Sequence, residues 1–440
     1  MKLSRFLLHG FAGPASAALS GSLSVLSLNV AGLPEIINGN DVPGDKTTNT
    51  EIIGERFVEY GYDIVQVQED FNYHAALYRT ATYPYRTSTS GGVPFGSGLN
   101  TLANYPWIDF ERVKWDVCEN ASGADCLTPK GFTVMRVRVD EGVYLDVYNL
   151  HADAGSEEAD ISARAANLQQ VSDYITTNSV GNAVLVLGDT NARYTRVGDG
   201  IRIFHTQNEL INPWVELILD GVEPVEGADA VVCGNPTTSQ TCETVDKIFY
   251  RGSRALALRA TSWSYEDEKF LNNGSILSDH NPISSTFAWS RSGQFRTSDL
   301  FGGPHGTWFN DLPTLPTTTG TSIKLSKITL RGGNRLDGLT LTLSTGSTTT
   351  HGGNGGTPVE LELGADEFWT GTRLCQGKQN DHTRIFYIEV TTSAGNSVSV
   401  GTETEECVEY QAESGWQVLG VYGRDGDEVD LLGVVYGVRS

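Results

Sequence analysis

The chain has 440 residues, too many for one ordinary domain, so two are expected. Its formal charge is −23, spread along the chain rather than gathered in blocks, which excludes a general nucleic-acid footprint. A nucleic-acid substrate is not excluded, because a bound metal reverses the sign of the field locally.

At the N-terminus Lys2 and Arg5 precede Phe6-Leu7-Leu8, and small residues follow, ending in Ala15-Ser16-Ala17. That is the layout of a secretion signal over residues 1–17, with a frayed, uncleaved N-terminus as the alternative because His9 and Gly10 interrupt the apolar run. Nothing further on approaches the roughly 20 apolar residues of a membrane span, so a soluble protein without a transmembrane segment is expected.

A series of Val-, Ile-, Leu- and Tyr-rich runs then reads as buried strands, each closing on a short polar segment. Asn29 closes LSLN, Glu69 follows VQVQ, and His151 follows the run 143–150. Asp189 and Asn191 follow VLVLG, Asp246 opens VDKIFY, and Asp279-His280 precedes the strand 283–288. Between them, residues 158–175 have helical spacing, with Ile161, Ala165, Leu168, Val171 and Ile175 on one face. A sheet gathering these strand ends on one edge would bring together hard oxygen ligands suited to Mg²⁺, Mn²⁺ or Ca²⁺ and two imidazoles suited to proton transfer.

Each fragment alone has a plain structural reading. Glu69 can be a solvated strand end, and Asp189-Thr190-Asn191 can be a turn bonded to its own backbone. If the segment is extended instead, positions 189 and 191 share a face and can hold one phosphate oxygen or one water. Asp246 can orient His280 through its second ring nitrogen and so fix its tautomer.

Six cysteines fall into sequence-local pairs, Cys118 with Cys126, Cys233 with Cys242 and Cys375 with Cys407. None has zinc-site spacing, and disulfide-stapled loops outside the cell are expected. Asn120-Ala-Ser and Asn273-Gly-Ser are glycosylation tripeptides of the kind that also arise by chance.

Residues 289–297 (WSRSGQFRT) lack an apolar period and read as a linker. Beyond it, Thr-, Ser- and Gly-rich strands alternate with turns and no helix is expected, so the second half is all-β. Three Gly-rich fragments stand out there: residues 302–308, residues 351–356, and Gly426-Asp427-Glu428-Val429-Asp430. Glycine lets backbone amides approach a ligand, although tight turns are its commoner use.

Taken in order, the polar strand ends of residues 22–288 resemble the endonuclease/exonuclease/phosphatase superfamily, which includes deoxyribonucleases, inositol polyphosphate phosphatases and neutral sphingomyelinases. The resemblance implies a four-layer α/β sandwich over residues 22–290. It implies a divalent metal held by Glu69 with Asn29 and Asp279, and water activation at Asp189. Asn191 would hold a phosphate oxygen, Asp246 would orient His280 at the phosphate, and His151 would be the second imidazole. The segment leading to Lys130-Gly131-Phe132 and the opening Asn29-Val30-Ala31-Gly32-Leu33-Pro34 are similar to those of sphingomyelinase-like members, so Lys130 is expected to meet phosphate.

Residues 296–440 resemble the jacalin-type lectins, which implies a β-prism binding carbohydrate at Gly426, Asp427 and Asp430, with Gly353 on a facing wall. Asp427 and Glu428 occupy positions where many such lectins carry an aromatic residue, which puts sugar affinity in question. The expected protein is a secreted phosphodiesterase with a phospholipid substrate and a carbohydrate-targeting module. A nuclease on the same scaffold, acting on nucleic acid, is one rival. A sugar-binding protein with a silent first domain is the other.

Overall fold

The computed structural model describes residues 18–37, 40–121, 125–316 and 323–439. The secretion signal expected over residues 1–17 lies outside the described residues.

Two sheets face each other in the first domain. One runs Leu256–Tyr265, Ile283–Arg291, Ser20–Asn29, Ile64–Gln68, Asn100–Ala103 and Tyr85–Arg86. The other runs Trp107–Lys114, Gly131–Asp140, Val143–His151, Ala183–Asp189 and Asp246–Arg251. Strand alternation decides what each face buries. Leu23, Val25 and Ile64 point inward against Leu145, Val147 and Leu185, while Leu26, Leu28, Val65 and Val67 point outward onto Ile53 and Phe57 of the helix Lys46–Tyr60. Leu168, Val171 and Ile175 of the helix Glu158–Asn178 cover the other sheet. The result is the expected four-layer α/β sandwich.

The inward stripe changes character along its length. Beyond Val25 and Ile64, the same alternation continues with Ser27, Asn29, Gln66 and Gln68, all fully buried. Gln68 Nε2 donates to Asn149 Oδ1 across the sheets at 2.7 Å, and Asn149 Nδ2 donates to the Val67 carbonyl at 2.9 Å. The base of the sandwich is therefore apolar, and its other end is lined with buried polar groups, several of them hydrogen-bonded between the sheets.

The long helix is rotated from the expected face. Ala163, Arg164 and Asn167 are buried, whereas Ile161 and Ala165 are only half-buried. Arg164 turns inward because Asp199 receives its Nε and Nη2 at 3.0 and 2.6 Å. Asn167 bonds the Asp153 N–H and the Val117 carbonyl. Buried polar bonding overrode the apolar period.

The second domain is all-β, as expected. A five-stranded sheet contains Phe295–Thr297, Phe301–Gly302, Thr307–Asn310, Trp416–Asp425 and Val429–Val438. Two four-stranded sheets, centred on Leu325–Gly332 with Leu336–Leu343 and on Trp369–Gln379 with His382–Thr392, complete a prism around Ile328, Leu339, Trp369, Leu374, Ile388 and Val434. The linker is shorter than expected. Trp289 belongs to the strand Ile283–Arg291 and Phe295 pairs with Gly437, so only residues 292–294 connect the domains. Both aromatic rings are buried, and the polar residues around them conceal this in sequence. The three cysteine pairs form disulfides as expected.

The domains meet over polar contacts. Arg136 is buried, bonds both oxygens of Asp146 at 2.7 Å and Asp109 at 3.0 Å, and lies 3.5 Å from the Trp308 ring centroid of the second domain. Asp109 also accepts from Arg424 at 2.7 Å, and Arg138 pairs with Asp299. Val180, Asn182 and Arg254 make further contacts, at the strand ends opposite His151, Asp189 and Asp246.

Candidate active site at the polar strand edge

Strand register assembles the centre of the site. His151 pairs with Asp189 in the parallel ladder, and Asp189 pairs with Asp246 in the next, so three neighbouring strands end level. From the facing sheet, Asn29 Nδ2 donates to Asp189 Oδ2 at 3.2 Å. The loop preceding Ile283 brings in His280, whose Nδ1 meets Asp246 Oδ2 at 2.9 Å and whose Nε2 lies 3.7 Å from Asp189 Oδ2. His151 Nε2 lies 3.3 Å from the same oxygen and 3.0 Å from Lys130 Nζ.

The backbone at this edge is bent into unusual conformations. Glu69 and Asn191 have φ of +55° and +49°, a region that side-chain-bearing residues adopt at a cost of order 1–3 kcal/mol. Asn191 is thus not extended, correcting the expectation that it shares a strand face with Asp189. Instead its N–H closes a turn onto Asp189 Oδ1 at 3.0 Å, and its amide donates to the Ala152 carbonyl at 3.0 Å.

Electrostatics divides the residues into roles. Burial alone would raise the Asp189 pKa, but His280, His151, Lys130 and the Asn191 N–H hold it below its ordinary value. Burial likewise opposes protonation of His280, yet Asp246 and Asp189 raise its pKa well above 6.5. In the His280–Asp246 pair the proton stays on the imidazole, because two carboxylates face that ring. His151 goes the other way: burial and then Lys130 lower it to about 3, so it is neutral. Near neutral pH the centre holds a carboxylate, an imidazolium and a neutral imidazole.

Burial pushes Glu69 up and Asp279 adds to that, while Lys130 and His280 oppose it. Asn29 supplies an amide beside Glu69, and Asn40 Nδ2 lies 3.5 Å from Glu69 Oε2. Two carboxylates are hard donors, and a carboxylate destabilised by burial and a like charge suits a divalent cation, whereas the Asn29 oxygen accepts from the Ala31 N–H at 3.0 Å. A second group of ligand atoms, from Asp189, Asp246 and His280, lies within 4.8 Å of one another. There the His280 ring nitrogen is already bonded to Asp246, so that group is better described as a hydrogen-bonded relay.

Lys130 reaches the site but is not free within it. It is ion-paired with Asp125, which is itself buried and whose other oxygen accepts from the Ala154 N–H at 3.3 Å. Asp125 went unnoticed in sequence although it lies five residues before Lys130 in the segment already singled out. Trp115, whose Nε1 donates to the His151 carbonyl at 2.8 Å, carries no signal in sequence. Gln68 and Asn149 were legible only as polar residues at inward positions of apolar strands.

Of the expected sugar-binding residues, Asp430 is buried, and its carboxylate faces Gly306, where an added Cβ would lie 2.6 Å from Oδ2. Gly353 is beside Asp427, where an added Cβ would lie 2.2 Å from the Asp427 carbonyl oxygen. Residues 302–306 thus lie beside Asp430, and the turn at Gly352 and Gly353 lies against Asp427 and Val429.

Residues 44–219 match the model of endonuclease/exonuclease/phosphatase family 2, and residues 298–435 match that of the jacalin-like lectin domain. Each part of the chain is thus similar to one of these two families. The chain is 38% identical over 272 residues to the sphingomyelinase of Mycobacterium tuberculosis, a match covering 60% of this chain. The chain spans about half the length of that relative, 52%. Among solved structures, sphingomyelinase C from Streptomyces griseocarneus aligns at 18% identity with a TM-score of 0.42, covering 60% of this chain and 99% of that one. A mannose-binding jacalin-related lectin from Ananas comosus aligns at 21% identity with a TM-score of 0.28, covering 33% and 98%.

Proposed function

We propose that the protein is a secreted, divalent-metal-dependent phosphodiesterase of the sphingomyelinase or phospholipase C type, carried on a carbohydrate-binding module. The observation that carries the reading is the convergence of His151 and the His280–Asp246 pair on one oxygen of Asp189. The identity to a protein named sphingomyelinase supports the substrate class. Three disulfides and the leader-like residues 1–17 support secretion.

The side chains divide the work as follows. Asp189, kept ionised, accepts a hydrogen bond from the attacking water and takes its proton as the bond to phosphorus forms. His280, kept protonated and oriented by Asp246, donates to a phosphoryl oxygen. Lys130 and His151 face the leaving oxygen: as its bond to phosphorus breaks, the Lys130 ammonium offsets the charge on that oxygen, which takes a proton from solvent, and the His151 ring nitrogen holds it by hydrogen bonding through that proton. Asn191 presents what remains of its amide to the phosphate. Glu69, Asn29 and Asp279 would hold Mg²⁺ or a similar ion, which as a Lewis acid would neutralise charge on the phosphoryl group. In the second domain the loop of residues 426–430 would be the one that faces carbohydrate.

A lipid is favoured over nucleic acid by the rim. Ile36 is 94% and Phe95 83% exposed, on loops bound to the backbone around Glu69, and Leu127 is exposed in the disulfide loop that leads to Lys130. The loop of Ile36 is tied in by Asn72 N–H to the Gly32 carbonyl, and that of Phe95 by Asp70 N–H to the Gly98 carbonyl. Scattered apolar residues are ordinary, but three on separate loops around one polar edge suit an apolar surface next to a phosphate. Ile36→Glu with Phe95→Glu should lower turnover of sphingomyelin vesicles at least ~10-fold, while a water-soluble phosphocholine ester is cleaved at the unmodified rate. Equal loss on both substrates would reject the rim assignment.

The decisive experiment is a substrate panel with Mg²⁺: sphingomyelin, phosphatidylinositol, an inositol phosphate and plasmid DNA. Release of phosphocholine from sphingomyelin, abolished by EDTA and restored by Mg²⁺, is the expected result. Glu69→Gln should need much more Mg²⁺ for half-maximal rate. DNA cleavage without lipid hydrolysis would replace this reading with the nuclease, and glycan binding without turnover of any substrate would leave only the lectin function.

A further inference from the structure

The carboxylate assigned to the sugar is already occupied. Asp430 is only 3% exposed, and Arg384 is ion-paired with its Oδ1 through Nη1. The other oxygen is pressed against the backbone of Gly306. A pair of sugar hydroxyls cannot reach a carboxylate enclosed on both sides.

Arg384 is itself anchored. Its Nε lies 3.3 Å from Glu428 Oε2, and Glu428 is gripped by Arg335, through Nε at 2.8 Å and through Nη2. Glu428 stands in the segment of residues 426–430, where many jacalin-type lectins carry an aromatic residue. Its charge therefore has a use, since it holds a guanidinium over Asp430.

The backbone supports the same closure. The strand His382–Thr392 carries Arg384, and its first residue stacks on His305 with ring centroids 4.0 Å apart. Gly303 packs against Thr383, where an added Cβ would lie 2.6 Å from the Thr383 carbonyl oxygen. Residues 302–306 and the start of that strand are thus clamped together, with the Arg384–Asp430 pair between them.

We propose that Arg384 is the specificity-determining residue of the lectin domain: it fills the hydroxyl-accepting position at Asp430 and closes it to neutral hexoses. This rests on the reading of residues 426–430 as the sugar site. A neutral hydroxyl pair must displace this ion pair and leave the guanidinium without its carboxylate.

The test is binding of the full chain to immobilised mannose, glucose and galactose, with near-ultraviolet circular dichroism confirming that each variant is folded. Wild type should bind none of them measurably. Arg384→Ser should bind at least one with a gain of ~10-fold or more, the factor recovered when a site open a tenth of the time or less is opened fully. Adding Asp430→Asn should abolish the gain. Glu428→Gln, which frees Arg384 without removing it, should give a smaller gain and serves if Arg384→Ser does not fold. Wild-type binding that is lost in Asp430→Asn and not improved in Arg384→Ser would overturn the closure and leave the sugar site standing. Folded variants that bind nothing, or wild-type binding indifferent to Asp430→Asn, would overturn both.

Discussion

Asp189→Asn should reduce kcat by at least ~10² with little change in KM, the scale typical of a group that handles a proton in the transition state. The substitution keeps the size of the side chain and its bond from the Asn191 N–H, so lost activity reports charge rather than collapse. His280→Gln should cost a similar factor. The double variant should lose little more than either single one, because the two act on the same step and such losses are not additive. The pH profile separates their parts. His280 has its pKa raised, so a step needing the imidazolium is intact at low pH and is lost as pH rises through that raised value. Asp246→Asn removes the nearer of the two carboxylates that raise it, so the alkaline limb of kcat/KM should move toward the ordinary 6.5. A limb that stays in place would show that His280 is not the titrating group.

Arg136→Ala should destabilise the protein by about 3–5 kcal/mol, the usual range for removing one partner of a buried ion pair. The variant leaves Asp146 and Asp109 facing a cavity and removes the cation from the Trp308 ring. Asp146 retains Asn182 at 2.8 Å and Asp109 retains Arg424, which limits the loss without cancelling two buried charges. A fall in Tm on the order of 10 °C follows for domains of this size. Cleavage by trypsin near residues 292–294 should also accelerate, because the same side chain fastens the second domain. Combining Arg136→Met with Asp146→Leu should recover much of the stability, since an apolar replacement of both partners avoids the stranded charge. An unchanged Tm in Arg136→Ala would mean the seam is solvated and not buried.

The contrast between these two sites shows what a linear reading can reach. Asn29, Glu69, His151, Asp189, Asp246 and His280 are each a polar residue at the end of an apolar run, and that pattern needs no tertiary information to notice. The same applies to the three disulfide pairs and to the change of texture near residue 290. Arg136, in contrast, sits in the strand Gly131–Asp140, where a charged residue looks like part of a solvated face. Its partners Asp109, Asp146 and Trp308 lie 27, 10 and 172 positions away along the chain. The helix Glu158–Asn178 was found from its period, but its buried face was set by Asp199 drawing Arg164 inward.

Periodicity and the chemistry of strand ends thus separated, from the amino acids alone, an α/β half from an all-β half and picked out the residues that gather at one edge; the sandwich and the prism were implied by the resemblance to known families. Periodicity and strand-end chemistry are local properties, written in intervals of two to four residues. Tertiary structure alone decided which ring nitrogen meets which carboxylate, that Lys130 is tethered by Asp125, and that Arg384 covers Asp430. The physical reason is that burial and Coulomb interaction act over a few ångströms of space. They make one histidine an imidazolium and the other neutral according to neighbours far away in the chain.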